Sequence, residues 1–164
     1  MSTSAEDGAA DVADAMADHS TPTRLRALPS RLLMQTATHA DRLVSEGLAG
    51  ADARKWHYAA LLALQEFGPV SQAELSCRTG IYRSDLVAVI NELAEREFVE
   101  RAPDPADRRR NVVTITAQGR RHLRRLDKLI AGIQDELLAP LTMPERDELT
   151  RLLTRLLEHH AKPN

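Results

Sequence analysis

The chain has 164 residues, 43% hydrophobic and 3% aromatic, with a formal net charge of −2. That length supports one cored domain with added helices, and few aromatics beside many Ala and Leu favour helix-on-helix packing over a sheet-rich core. A single cysteine, Cys77, excludes an intrachain disulfide or multi-cysteine zinc site, and the absence of a long apolar run or a basic N-terminal segment leads us to expect a cytoplasmic protein without membrane contact.

Residues 1–22 lack apolar periodicity and carry five acids (Glu6, Asp7, Asp11, Asp14, Asp18) against no Lys or Arg as far as Ser20, which predicts a disordered acidic tail. A long helix is expected from Ser30, with Leu33, Ala37, Ala40 and Val44 at helical spacing until Gly47 and Gly50 stop it. Asp52 is placed to cap a second helix with Trp56, Ala60, Ala63, Leu64 and Phe67 on its apolar face, ended by Gly68-Pro69. Ser71-Gln72-Ala73-Glu74 reads as a capping box, so a short helix starts there and stops at Thr79-Gly80. Cys77 is expected to face the core of that helix. The next helix has Leu86, Val89, Ile90 and Leu93 on one face, and two helices joined by a tight Gly turn match a helix-turn-helix.

Phe98–Arg101 and Val112–Thr116 read as short strands around a polar, proline-bearing, basic segment. From Arg101 to Lys128 there are nine Lys/Arg against Asp104, Asp107 and Asp127, and this local surplus matters more to phosphates than the net charge does. A hairpin with a basic tip directly after a recognition helix is a wing. Thr116 caps a further helix, where Leu123, Leu126, Ile130, Ile133 and Leu137 form a narrow seam suited to a partner helix. Thr142-Met143-Pro144-Glu145 is a second capping box, and the last helix carries Leu149, Leu152, Leu153, Leu156 and Leu157, which pairing with a second copy would bury. His159-His160 is read as a solvated pair.

The stretch Asp107-Arg108-Arg109-Arg110-Asn111-Val112-Val113-Thr114-Ile115-Thr116-Ala117-Gln118-Gly119 resembles the MarR family of bacterial transcriptional regulators. The family pattern is D-x-R, a strand, then L-T-x-x-G, met here with Ile115 in the Leu place. The resemblance runs from about residue 30 to 160. It implies a mainly α fold with a small β-hairpin wing. Residues 51–117 would be the winged helix-turn-helix DNA-binding domain, and 23–50 with 118–161 the helical dimerisation region.

The resemblance further implies that Arg109 is the wing arginine, entering a narrow minor groove, and that Asp107 holds the neighbouring arginines in place. Arg108 and Arg110 would sit over phosphates. In the recognition helix Ser84 keeps the family's polar start, whereas Asp85, Val87, Asn91 and Glu97 depart from its usual Thr, Thr, Asp and Gly. Arg83 suits a guanine or a phosphate, and Ser84 a base or a phosphate. Asp85 can accept from a cytosine amino group, orient Arg83, or complement the helix dipole. Ser71 and Gln72 can bring backbone N–H groups to a phosphate.

Effectors in the family lie between the winged domain and the dimer helices, which makes His39, Trp56, His57 and Tyr58 candidate contacts for a small aromatic or phenolic ligand. The alternative is a core Trp56 with partly exposed histidines. No Gly-rich phosphate loop, G-x-S-x-G, H-E-x-x-H or C-x-x-C is present, so neither catalytic residues, a cofactor nor a metal is expected. The reading is a homodimeric repressor on a pseudo-palindromic double-stranded operator, released by an effector. The alternative is a winged-helix protein–protein adaptor. A lack of exposed stacking aromatics argues against RNA.

Overall fold

The structure, a computed structural model, describes residues 21–161. The acidic tail expected over 1–22 falls outside these, apart from Thr21 and Pro22. In chain order the elements are α1 (Thr23–Arg26), α2 (Pro29–Ala49), α3 (Lys55–Phe67), α4 (Gln72–Thr79), α5 (Arg83–Glu95), β1 (Val99–Pro103), β2 (Asn111–Ile115), α6 (Ala117–Leu137) and α7 (Met143–Ala161). Two compact units divide at Arg42 and Leu43. The first holds α1 and α2 as far as Arg42, with Leu25, Leu28, Leu32, Leu33 and Met34 all exposed. The second holds everything after it, including the core.

That core is built on α3. Residues recurring at three and four positions share one helix face, and here His57, Ala60, Leu61 and Leu64 form the buried stripe. Of the expected face, Ala60, Ala63 and Leu64 are buried as read, whereas His57 and Leu61 take the places expected for Trp56 and Phe67. Both aromatics are exposed at its margins, and the Arg78 guanidinium covers Phe67 at 4.0 Å from the ring centroid. Leu75 of α4, Leu86, Val89, Ile90 and Leu93 of α5, Val99 and Val113 of the hairpin, and Leu123 and Leu126 of α6 complete the cluster. The last two correct the partner-helix reading of the α6 seam, since its first turns pack on this chain's own winged unit.

Ser71 caps α4 as expected, its Oγ accepting from Glu74 N–H at 3.2 Å. Gly80 closes that helix in the left-handed region, φ 70°, where a Cβ would be strained. Asp52 does not cap α3. It also has positive φ (52°), and the residue before the helix is Arg54, whose N–H donates to His57 Nδ1 at 3.2 Å. Gly47 does not stop α2 either; it lies inside the helix, facing the Ile133 side chain. Cys77 is exposed rather than core-facing.

The hairpin pairs Val99 with Ile115 and Arg101 with Val113, and Val70 bridges to Val113, tying the entry of α4 to the wing. Thr116 joins wing to helix. Its hydroxyl donates to Glu97 O at 2.6 Å and accepts from Gly119 N–H at 2.9 Å. A Cβ on Gly119 would collide with the Phe98 carbonyl oxygen, so the T-x-x-G spacing is a packing requirement. Glu97 has φ 58°, a left-handed conformation that costs an L-residue about 1–2 kcal/mol. The glycine usual at this position is thereby explained. At α7 the expected box is half formed. Glu145 accepts from both the N–H and the hydroxyl of Thr142, each at 2.8 Å.

Candidate nucleic-acid interface

Burying Leu86, Val89, Ile90 and Leu93 turns the opposite face of α5 outward, so Arg83, Ser84, Val87, Ala88 and Asn91 are exposed along one side. Asp85 is exposed in the first turn and forms no ion pair with Arg83 among the described residues, which leaves helix-dipole complementarity as its visible role. Ser71 Oγ is committed to its cap, and Gln72 Nε2 is buried without a hydrogen-bond partner among the described residues.

The wing tip is ordered by its aspartates. Asp104 N–H donates to Arg110 O at 2.7 Å, and Arg110 N–H to Asp107 O at 2.9 Å. Asp107 Oδ1 accepts from Arg109 N–H at 3.1 Å, and Asp104 Oδ1 from Ala106 N–H at 2.8 Å. Asp107 thus shapes the backbone that carries the arginines and leaves their guanidinium groups unengaged. Arg108, Arg109 and Arg110 are exposed, with no ion pair among the described residues. Three unneutralised cations at the tip of a hairpin whose β1 strand packs on α5, together with that helix's exposed face, suit a polyanion with grooves.

Behind that face lies a charged corner. Because Nδ1 of His57 accepts from Arg54 N–H, its Nε2 carries the proton and donates to Glu92 of α5 at 2.8 Å; Arg54 also pairs with Glu92. These residues, with Asp52 and Arg96, line a cavity of about 380 Å³. Burial lowers the His57 pKa against the opposing pull of Glu92. Burial, then the nearby Arg96 and Arg125, lowers that of His122, which stacks on Phe98 with centroids 4.3 Å apart and has an unpartnered Nε2 among the described residues.

Both imidazoles are therefore held neutral, while the unfolded chain takes up protons below about pH 6.5. Stability is full above that pH and is lost as pH falls through it towards the depressed folded values. The melting temperature should accordingly drop between pH 7 and 5, and His122→Phe, which keeps the ring stack without a titrating nitrogen, should shallow the drop. A pH-independent melting temperature for the unmodified chain would refute this.

A model of the MarR family matches residues 52–110, from the α2–α3 corner to the wing tip. The crystal structure of a probable transcriptional regulator from Pseudomonas aeruginosa is 30% identical, with a TM-score of 0.71, covering 80% of this chain and 98% of that one. The chain belongs to the MarR family. The transcriptional repressor NicR of Pseudomonas putida is 31% identical over 101 residues, 62% of this chain. The matched stretch covers 64% of NicR, less than two thirds of that protein. Bordetella bronchiseptica BpsR, whose DNA binding is regulated by 6-hydroxynicotinic acid, shares the fold at 23% identity and a TM-score of 0.71, covering 83% of this chain and 97% of that one.

In this MarR-family chain the three candidate effector contacts of α3 do not share one environment. His39 is exposed on α2 in the first unit. Successive helix residues point about 100° apart, and α3 accordingly sends Trp56 to solvent, His57 to Glu92, and the Tyr58 hydroxyl to Asp127 of α6 at 3.0 Å. The alternative of a core Trp56 with partly exposed histidines is reversed for Trp56 and His57, which are 45% and 4% exposed. Sequence reasoning also missed Tyr82, 80% exposed beside Arg83, which overturns the expectation of no exposed stacking aromatic. It named Asn91 only as a departure from the family's usual Asp and missed its bond to Arg101, which no local pattern links. Among the described residues no helix is long and apolar enough to cross a membrane, and no cluster of metal-ligating side chains occurs.

Proposed function

We propose that the chain is a homodimeric, sequence-specific double-stranded DNA-binding repressor released by a small-molecule effector. The observation that carries this reading is the wing tip with three unpaired arginines, at the end of a hairpin whose β1 strand packs on α5, whose opposite face is exposed. Residues 51–117 act as the DNA-binding domain, with 23–50 and 118–161 forming the dimer. Leu32, Leu33 and Met34 of α2, and separately Leu152, Leu156 and Leu157 of α7, are exposed apolar surfaces that a second copy would cover. A two-fold dimer presents its recognition helices to half-sites about one helical turn apart, hence a pseudo-palindromic operator.

Effector release rests on the membership of ligand-regulated proteins such as BpsR in the same fold. A small acid binding at the His57–Glu92 corner would compete with Glu92 for Arg54 and so act on α5 directly. Such a regulator works in the cytoplasm and is not an enzyme. Selection of bound fragments from genomic DNA, followed by footprinting, tests the reading. Recovery of fragments with a two-fold symmetric footprint is the expected result. No enrichment, together with recovery of a protein partner, would favour the adaptor instead.

A further inference from the structure

The outward stripe of α5 continues past its N-terminal half to Asn91, two turns beyond Arg83. There it meets the wing. Arg101 of β1, paired in register with Val113, sends Nη2 to Asn91 Oδ1 at 2.6 Å. A guanidinium has donors only, so the amide atom facing it is necessarily the carbonyl oxygen. The Asn91 orientation is thereby fixed: oxygen towards the wing, Nδ2 free as a donor. Both side chains are exposed, and neither has another side-chain partner among the described residues.

An unrestrained asparagine pairs bidentately with adenine, its oxygen accepting from N6 while its nitrogen donates to N7. Here Arg101 occupies the oxygen and sets a positive charge beside it. The pair offers two donors and a cation, which repels the amino groups of adenine and cytosine and matches the O6 and N7 acceptors of guanine. We propose that Asn91, oriented by Arg101, reads one base pair of each half-site as guanine. Asn91 would touch the base; Arg101 is first a positioning residue. The proposal rests on the DNA-binding reading above.

The test is a set of binding titrations at fixed salt, in which each base pair of a footprinted half-site is replaced singly. They are run with the full chain and with Asn91→Asp and Arg101→Met. For the unmodified chain, one position should favour guanine over adenine by at least tenfold. Asn91→Asp turns the amide into an acceptor paired with Arg101, and should reverse the preference there towards an amino-bearing base while other positions keep theirs. Arg101→Met frees Oδ1 and should turn the preference from guanine towards adenine at that position alone. Both residues are exposed, and melting temperatures near that of the unmodified chain would confirm folding. A uniform loss across all positions would mean a phosphate or structural role and overturn the proposal, as would identical base profiles for all three proteins. No binding by the unmodified chain would instead overturn the DNA-binding reading, and this one with it.

Discussion

Arg109→Ala should weaken operator binding by at least tenfold, about 1.4 kcal/mol, with the fold unchanged. Arg109 is exposed at the wing tip, and its backbone N–H is already held by Asp107 Oδ1. Removing the side chain therefore costs the folded chain nothing visible and deletes a cation from the tip. In a narrow minor groove the potential is enhanced by the close walls, so an inserted guanidinium gains more there than one lying over a phosphate on the open surface. Arg108→Ala and Arg110→Ala should give smaller losses, roughly equal on all sequences, each lowering the salt slope by about one. Titration of a footprinted operator at fixed salt, repeated at two ionic strengths, separates the cases. An Arg109→Ala affinity equal to that of the unmodified chain would remove the minor-groove role.

The parts legible in the sequence were those fixed by short-range chemistry. Ser71 with Glu74, Gly80, and Thr116 with Gly119 each announce a backbone requirement within four residues; the last two appear as read, and of the Ser71–Glu74 box the Ser71 cap forms while the Glu74 carboxylate pairs with Arg78 instead. The buried face of α5 followed from periodicity, because four apolar residues at helical spacing admit one inward side. The wing was readable for the same reason, with Asp104 and Asp107 acting on neighbours two or three residues away.

What could not be read depends on partners far along the chain. His57 displaced Trp56 from the core because Glu92, 35 positions later, supplies the acceptor that makes a buried imidazole tolerable. Arg101 and Asn91 meet only once β1 has folded back beside α5. A pattern of apolar residues also cannot say whether its partner is the same chain or another copy, and the α6 seam was misjudged for that reason.

That seam supplies the second large effect. Leu126→Ala should lower the free energy of unfolding by about 3 kcal/mol, within the 2–5 kcal/mol typical of buried Leu→Ala changes. Leu126 has no solvent exposure and packs in the cluster that also holds Leu61, Leu64 and Leu93, so truncation leaves a cavity walled by several elements. Because the cavity lies within one chain, the loss should appear in denaturant unfolding as a lowered midpoint with little change in the dimer dissociation constant. Leu156→Ala, 45% exposed on α7, should do the reverse, raising the dissociation constant in sedimentation while leaving the winged unit intact. Should Leu126→Ala act wholly through dimerisation, α6 would face its partner there after all. The wing and recognition helix would then depend for their support on the second copy rather than on α3.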